Sequence, residues 1–200
     1  DEPALRSQLE RARTLGFTGV LIGNLGHLPL MRGMDFRLYG DYGLNVFNSR
    51  SLAYLKEKGL ESACVSFELR FAQIRDLKKV LRAEAIVYGR LPLMITENCL
   101  VQNETGCRLD RQGPCVPEDG PCRCGQPNVL VDRTGAAFPL LPAYGHRTEI
   151  QNSKPLYLAD RPEHRRLGLA YARLRFTTET AEECVSVVQN YLDAAPAAGD

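Results

Sequence analysis

The residues best suited to carry chemistry are cysteines, which are clustered in one stretch of the chain. The stretch from Glu97 to His146 holds five of the seven cysteines, and its first half is rich in Gly, Pro and charge. Such a long loop lacks a hydrophobic core of its own. Thiolates on a metal can replace that core, and His146 is a candidate further ligand. The clustered cysteines are Cys99, Cys107, Cys115, Cys122 and Cys124.

The spacing of these cysteines does not identify a metal. No CxxC pair occurs, which departs from zinc-ribbon patterns, and the compact ferredoxin run is also absent. Zinc and an iron–sulfur cluster both stay open. An odd, clustered set favours metal or redox chemistry in a reducing compartment over a disulfide framework, which is the alternative. Cys64 and Cys184 lie in apolar, periodic surroundings and are predicted core residues.

Nucleophilic catalysis has weaker support in the sequence. A hydrolase triad needs a nucleophile, a base and an orienting group. With three histidines and no nucleophile-elbow motif, no triad can be assembled. A cysteine protease built on Cys99 and His146 is the alternative, but it leaves the other clustered cysteines unexplained.

The amino-acid composition argues against some classes of binding partner. Lys and Arg number 25 against 24 Asp and Glu, which argues against a chain-wide electrostatic grip on nucleic acid or membrane. No run approaches the roughly 18 apolar residues of a membrane span. The chain opens directly in an amphipathic helix, with no initiator Met and no signal peptide, so we expect that Asp1 is not its natural start. Because the clustered cysteines favour a reducing compartment, we predict a cytoplasmic protein.

The elements that position these residues repeat as strand, polar exit and helix every 22–25 residues or so, which indicates right-handed βα units. We predict an α/β fold, a partial (β/α)₈ TIM-type barrel of about five βα units with a Cys-rich loop and a small β insert. An open barrel exposes strand edges that favour oligomer formation. The predicted barrel strands lie at 20–22, 36–39, 62–69, 83–94 and 169–176.

Three segments are predicted. Residues 1–96 hold barrel βα units, including a helix over 71–82. Residues 97–160 hold the Cys-rich metal-binding loop and a small β region. Residues 161–200 hold the last barrel strand and the closing helix, for which Thr178 or Thr180 is the predicted N-cap.

Polar side chains at the strand ends are the candidate catalytic residues, because function in β/α barrels lies at that face. Glu68 could act as a general base or hydrogen-bond acceptor, or only form an ion pair with Arg70 or Arg90. Tyr88 and Arg90 together could hold an anionic substrate, although Arg90 is equally an ordinary ion-pair partner.

The stretch AIVYGRLPLMITENC resembles the signature of the U32 peptidase family, the collagenase-like proteases. Gly89 and Leu91 match that signature, and Cys99 matches its second cysteine. Tyr88 stands where the family has His, and Pro92 stands where it has the first Cys. Further matches, in the family's order, are Asn45, Asn48, Glu68, Asp132, Arg133, Gly135, Phe138, Asn152, Ser153 and Tyr191.

The resemblance implies the second half of a U32 barrel together with its Cys-rich segment. It also implies chemistry beyond proteolysis, since several family members resemble oxygen-independent hydroxylases that hold a [4Fe–4S] cluster and act on RNA pyrimidines or a ubiquinone precursor. The family's run of ligands maps most nearly onto Cys99, Cys107, Cys124 and His146, with Cys115 and Cys122 as alternates and zinc as the alternative metal.

The residues and the resemblance together allow three functions. The first is an iron–sulfur enzyme that hydroxylates an RNA base or a similar cytosolic substrate. The second is a peptidase acting on peptides, and the third is a non-catalytic fragment with a structural zinc site.

Overall fold

A computed structural model describes residues 2–105, 123 and 126–194 of the chain. Within these residues the chain forms five α-helices and ten β-strands, joined in places by 3₁₀ turns. The helices are α1 (Glu2–Thr14), α2 (Ser49–Glu57), α3 (Phe71–Asp76), α4 (Leu100–Thr105) and α5 (Ala181–Asp193). The strands are β1 (Gly19–Ile22), β2 (Arg37–Gly40), β3 (Leu60–Cys64), β4 (Arg82–Gly89), β5 (Pro92–Thr96), β6 (Asn128–Val131), β7 (Ala137–Ala143), β8 (Arg147–Gln151), β9 (Leu156–Tyr157) and β10 (Tyr171–Arg175).

The chain divides into two compact units, and the first comprises Asp1–Val87 and Asp160–Arg173. Its sheet has the strand order β1-β2-β3-β4-β10, and β1 to β4 pair in parallel. The predicted α/β class is confirmed, a strand occurs at each of the five predicted positions although not always with the predicted length, and the sheet is a curled parallel half-barrel. Closure into a TIM-type barrel stays a prediction, as does the division into three segments.

The core of this first unit lies between the sheet and its helices. Alternate residues of β3 and β4, such as Ala63 and Ala83, face the helices because strand side chains alternate between the two faces. Each buried Leu stabilises the unit by about 1.5–3 kcal/mol relative to an exposed one. The main cluster contains Val46, Leu52, Leu55, Leu60, Ala63, Val65, Leu69, Ile74, Leu81, Ala83, Ala85 and Leu167.

Polar caps fix the ends of α2. The Asn48 side chain accepts a hydrogen bond from the Ser51 amide at 2.9 Å, which satisfies one of the orphan donors of the first turn. Gly59, two residues past the helix end, adopts a φ of +87°, a conformation that glycine reaches without strain. Local residues therefore define both ends of α2.

The second unit comprises Tyr88–Ala159 and Leu174–Asp200. Its sheet is antiparallel, in the order β5-β8-β7-β6, and β6 and β7 form a hairpin around Asp132 within the predicted small β region. The helix α5 begins at a capping box in which Thr180 and Glu183 each accept from the other's backbone amide. Thr180, one of the two predicted N-caps, therefore fills that position.

Three predicted elements are wrong in extent. The strand predicted over 62–69 spans residues 60–64, because beyond Cys64 the chain makes only an isolated bridge at Val65 and then turns, with the Leu69 amide donating to the Ser66 carbonyl. The single strand predicted over 83–94 is two strands, since β4 ends at Gly89 and β5 pairs with β8 in the other sheet. The break falls where Gly89 has a φ of +122°. The helix predicted over 71–82 ends at Asp76, because the Lys79 ammonium donates to the carbonyls of Ile74, Arg75 and Leu77 and caps it early.

Of the helices in the described ranges, none has both the length and the apolarity of a membrane span.

We expect Gly89→Ala to destabilise the protein far more than Gly59→Ala. A Cβ at Gly89 would lie 2.0 Å from the Arg175 carbonyl oxygen, whereas one at Gly59 would meet open space. Both glycines have positive φ, so each substitution costs the ~1–2 kcal/mol of a left-handed residue. The clash at Gly89 should raise that loss above about 3 kcal/mol in urea unfolding. Equal losses would show that the approach of β4 to β10 is not tight.

Candidate functional site

The sheet face opposite the helices of the first unit carries a charged cluster. Arg173 on β10 forms a bidentate pair with Glu84 on β4, in which Nη2 lies 3.1 Å from Oε2 and Nε contacts Oε1. Its Nη1 donates to Asp41, which follows β2 directly. The three side chains are 14–23% exposed, so water screens them weakly. This face of the sheet is therefore held by fixed opposite charges.

Cys64 on β3 lies beside this cluster and is fully buried. Burial raises the pKa of its thiol to about 12, and the carboxylates of Glu84 and Asp41 add to the rise while Arg173 opposes it. The thiol is thus protonated at neutral pH and contacts the Val65 carbonyl oxygen at 3.5 Å. Cys64 is not an activated nucleophile, and the sequence reading of Cys64 as a core residue is consistent with its burial.

Glu68 lies in the turn that follows β3, whereas the sequence placed it near the end of a strand over 62–69. Its side chain is exposed, and its amide donates to Ser66 Oγ at 3.4 Å. Among the ion pairs of the first unit's described residues, none joins Glu68 to Arg70. The carboxylate is therefore accessible from solvent, and its catalytic role stays a prediction.

Tyr88, in the second unit, is 6% exposed at the end of β4. Its hydroxyl donates to Glu179 Oε1 at 3.2 Å, and its ring packs against Phe176 and Tyr157. Burial, followed by the Glu179 charge, raises the pKa of Tyr88 to about 12. At neutral pH Tyr88 can donate a hydrogen bond but cannot act as a base.

Glu179 is held as a carboxylate by the backbone. Burial alone would raise its pKa, but hydrogen bonds from the amides of Thr177 and Thr178, at 2.6 and 2.9 Å, outweigh burial and lower it. The Oγ1 atom of Thr177 is buried with no hydrogen-bond partner among the described residues. Tyr88 thus donates to a carboxylate that stays ionised.

Arg90 is bound to oxygen atoms of its own chain. Its Nη1 donates to the carbonyls of Asn152, at 3.0 Å, and Ser153, and its Nε lies 3.3 Å from Thr178 Oγ1. These contacts hold β4 against the segment after β8. The predicted grip of Tyr88 and Arg90 on an anionic substrate stays a prediction, since both side chains already have partners in the chain.

Arg175 forms the second polar centre of this unit. Its Nη1 donates to the Arg90 carbonyl and to Gln151 Oε1, each at 2.7 Å, and its Nη2 lies 2.8 Å from Glu149 Oε1. Gln151 is fully buried, and the Arg175 and Glu149 side chains are 17% and 16% exposed. Arg175 therefore joins β10 to β8 through paired, desolvated groups.

Cys99 occupies the start of α4 and is buried. Its sulfur accepts a hydrogen bond from the Gln102 amide at 3.4 Å. Thr148 Oγ1 accepts from the Leu100 amide at 3.1 Å and donates to the Asn98 carbonyl at 3.3 Å, which fixes this turn on β8. An N–H group aimed at a sulfur stabilises negative charge on it, so the chemistry of this donor fits a metal-bound thiolate.

His146 lies at the same end of the second sheet as Cys99. It occupies the turn from β7 to β8 with a φ of +60°, and Arg147 beside it lies 3.0 Å from Glu97 Oε1. The antiparallel register thus brings the start of β8 next to the end of β5. Groups of three or more His, Cys, Asp and Glu side chains arranged for a metal do not occur in the described ranges. The predicted ligands Cys107, Cys115, Cys122 and Cys124 lie outside the described residues.

Sequence reasoning missed several residues that organise these sites. Glu84 carried a usable signal, because it is a lone charge inside the apolar strand AEAIVYG. Arg173 carried a similar signal, because it is a charged residue between apolar neighbours in the strand LAYARLRF. Thr148 and Gln151 carried no such signal, since polar residues are ordinary in an exposed hairpin.

We expect Arg173→Met to lower the free energy of unfolding by about 3 kcal/mol, because it leaves two weakly hydrated carboxylates without their cation. Arg37→Met is the matched control. Arg37 pairs with Glu61 at 2.8 Å, but its side chain is 57% exposed, so the loss should be much smaller. Urea unfolding of both variants measures the difference. A loss at Arg173 no larger than that at Arg37 would contradict the structural role of this cluster.

Tyr88→Phe should lose about 1.5 kcal/mol of stability at neutral pH, the contribution of a hydrogen bond to a charged acceptor. Because the folded-state pKa is raised, this stability is complete below pH 10, the ordinary pKa of an unfolded tyrosine, and disappears as the pH rises to about 12. Unfolding measured from pH 7 to 12 should show the wild type and variant converging. A difference that does not change with pH would contradict this prediction.

A family model described as Peptidase family U32 matches residues 1–129. No curated protein and no solved structure matches the chain.

Proposed function

Since this chain belongs to peptidase family U32, we propose that it is an iron–sulfur enzyme that hydroxylates an RNA base or a similar cytosolic substrate. The observation that carries this proposal is the setting of Cys99. A buried sulfur that accepts an amide hydrogen bond, on a turn clamped by Thr148, is prepared to ligate a metal.

Cys99, Cys107, Cys124 and His146 are the proposed ligands of a [4Fe–4S] cluster, with Cys115 and Cys122 as alternates. Cysteine thiolates are the usual ligands of such clusters, and histidine replaces cysteine in some iron–sulfur centres, where it raises the reduction potential. When bound, the cluster would supply electron transfer. Zinc on the same donors is the alternative, and it would make this segment a structural clip.

The chain's own residues have distinct proposed roles. Tyr88, which stays protonated at neutral pH, would donate a hydrogen bond to substrate in competition with Glu179. Arg90 would orient the segment at Asn152 and contribute positive charge. The solvent-accessible carboxylate of Glu68 would accept a proton. Cytoplasmic location and association through sheet edges belong to the same proposal.

Peptide hydrolysis is the second candidate, because the matching family is described as a peptidase family. It would use Cys99 as nucleophile with His146 as base, since the two residues belong to the same end of the second sheet.

Visible absorption of the anaerobically purified protein separates these functions. We expect a brown protein that is bleached by dithionite and whose colour is lost in Cys99→Ala. Cys184→Ala is the matched control, because Cys184 lies on α5 outside the Cys-rich segment and should leave the colour unchanged. A colourless protein would contradict the cluster, and equal loss of colour in both variants would contradict Cys99 as a ligand.

Mass spectrometry of RNA nucleosides tests the activity itself. A strain that lacks the gene should lose one hydroxylated nucleoside, and the wild-type gene but not Cys99→Ala should restore it. An unchanged nucleoside profile would remove RNA as the substrate. Peptide hydrolysis that is lost in Cys99→Ala but retained in metal-free protein would instead establish the peptidase.

A further inference from the structure

An apolar cavity in the first unit has no part in the sites described above. It has a volume of about 310 Å³ and lies between the 3₁₀ turn Leu25–Met31 and the last turn of α2. Its apolar wall includes Leu28, Met31 and Leu38. This volume lies at the lower end of the range of small-molecule pockets, and the wall would favour an apolar group.

Two cations line the mouth of this cavity. Arg32 and Lys58 are both exposed, and the Lys58 ammonium lies 5.1 Å from the centroid of the Tyr54 ring, which also lines the cavity. Within the described part of the chain, neither cation has an ion pair with a carboxylate. Positive charge at an apolar opening complements a ligand with one anionic end.

A second cavity, which shares Arg32 with the first, is also lined by cations. Arg32 also lines this smaller cavity of about 170 Å³, together with Arg6 and Arg13 of α1 and one carboxylate, Glu10. Glu2 lies 3.7 Å from Arg6 and offsets part of its charge. With three guanidinium groups and one carboxylate in its lining, this second cavity carries a net positive charge.

We propose that these adjoining cavities bind one anionic amphiphile. Its apolar chain would occupy the larger cavity, and its carboxylate or phosphate head would bind Arg32 between the two. Guanidinium groups bind both kinds of head bidentately, so a fatty acid and an alkyl or prenyl phosphate share this chemistry. A nucleic acid is less suited, because the apolar wall offers nothing to a phosphodiester chain.

Calorimetric titration of the whole protein with decanoate, decyl phosphate and decanol tests this site. One equivalent of decanoate or decyl phosphate should bind, and uncharged decanol should bind at least tenfold more weakly. Tighter binding of decanoate would identify a fatty acid as the source, and tighter binding of decyl phosphate an organic phosphate. Failure of both anions to bind, or equal binding of decanol, would overturn the proposal.

Variants locate the two ends of the ligand. Arg32→Gln and Lys58→Gln should each weaken binding of the anions about tenfold, the effect of one charge-assisted hydrogen bond. Arg11→Gln and Lys56→Gln are matched controls, because both residues are exposed and neither lines either of these two cavities. Leu25 also lines the larger cavity, so Leu25→Asp should weaken binding of the apolar chain. Leu15→Asp should not, because Leu15 is exposed and lines neither of the two cavities. Equal effects in variants and controls would overturn the proposal.

A short oligoribonucleotide provides the competing outcome. Binding of this RNA that is weakened by Arg32→Gln, while neither decyl anion binds, would overturn the amphiphile and assign the basic residues to nucleic acid.

Discussion

The ion pairs of Arg173 are the constraint on which the first unit depends. Glu84 and Asp41 come from β4 and from the end of β2, and Arg173 reaches both from a strand that follows β4 only after some eighty intervening residues. Three charges that are each less than a quarter exposed tolerate little displacement, because any one of them left alone would remain poorly hydrated. The last strand is therefore fixed beside β4 by electrostatics as well as by backbone pairing.

The second unit depends on a similar device with different partners. Arg175 donates to Glu149 and the buried Gln151, and Arg90 donates to backbone carbonyls. Paired polar groups of this kind specify one arrangement of strands, since a slipped register would leave a buried donor unsatisfied. Tyr88 and Glu179 complete the unit with a neutral donor and an ionised acceptor, whose pKa shifts run in opposite directions. Beyond the end of β5, Thr148 holds the turn that carries Cys99 through a hydrogen bond between a side chain and the backbone.

Sequence reasoning recovered what local patterns encode and missed what long-range pairing decides. The apolar run at Val20 predicts a strand and the capping residue Thr180 predicts a helix start, because burial and orphan amides act within a few residues. The transfer of β5 to a second sheet was not predictable, since the run from 83 to 94 reads as one mostly apolar strand and only the pairing of β5 with β8 separates the two strands. Glu68 was placed within a strand over 62–69, but that strand ends at Cys64 and Glu68 lies in the turn beyond it. The ligand set came from a family resemblance, as no spacing rule covers these cysteines.

Iron, acid-labile sulfide and zinc analysis of the whole protein, purified without oxygen, tests the central claim most directly. An iron–sulfur centre predicts about four iron and four sulfide per chain, both lost together when Cys99 is replaced by Ala. One zinc per chain with no sulfide would contradict it. That result would reduce the Cys-rich segment to a structural clip and move the search for chemistry to Glu68 and Tyr88.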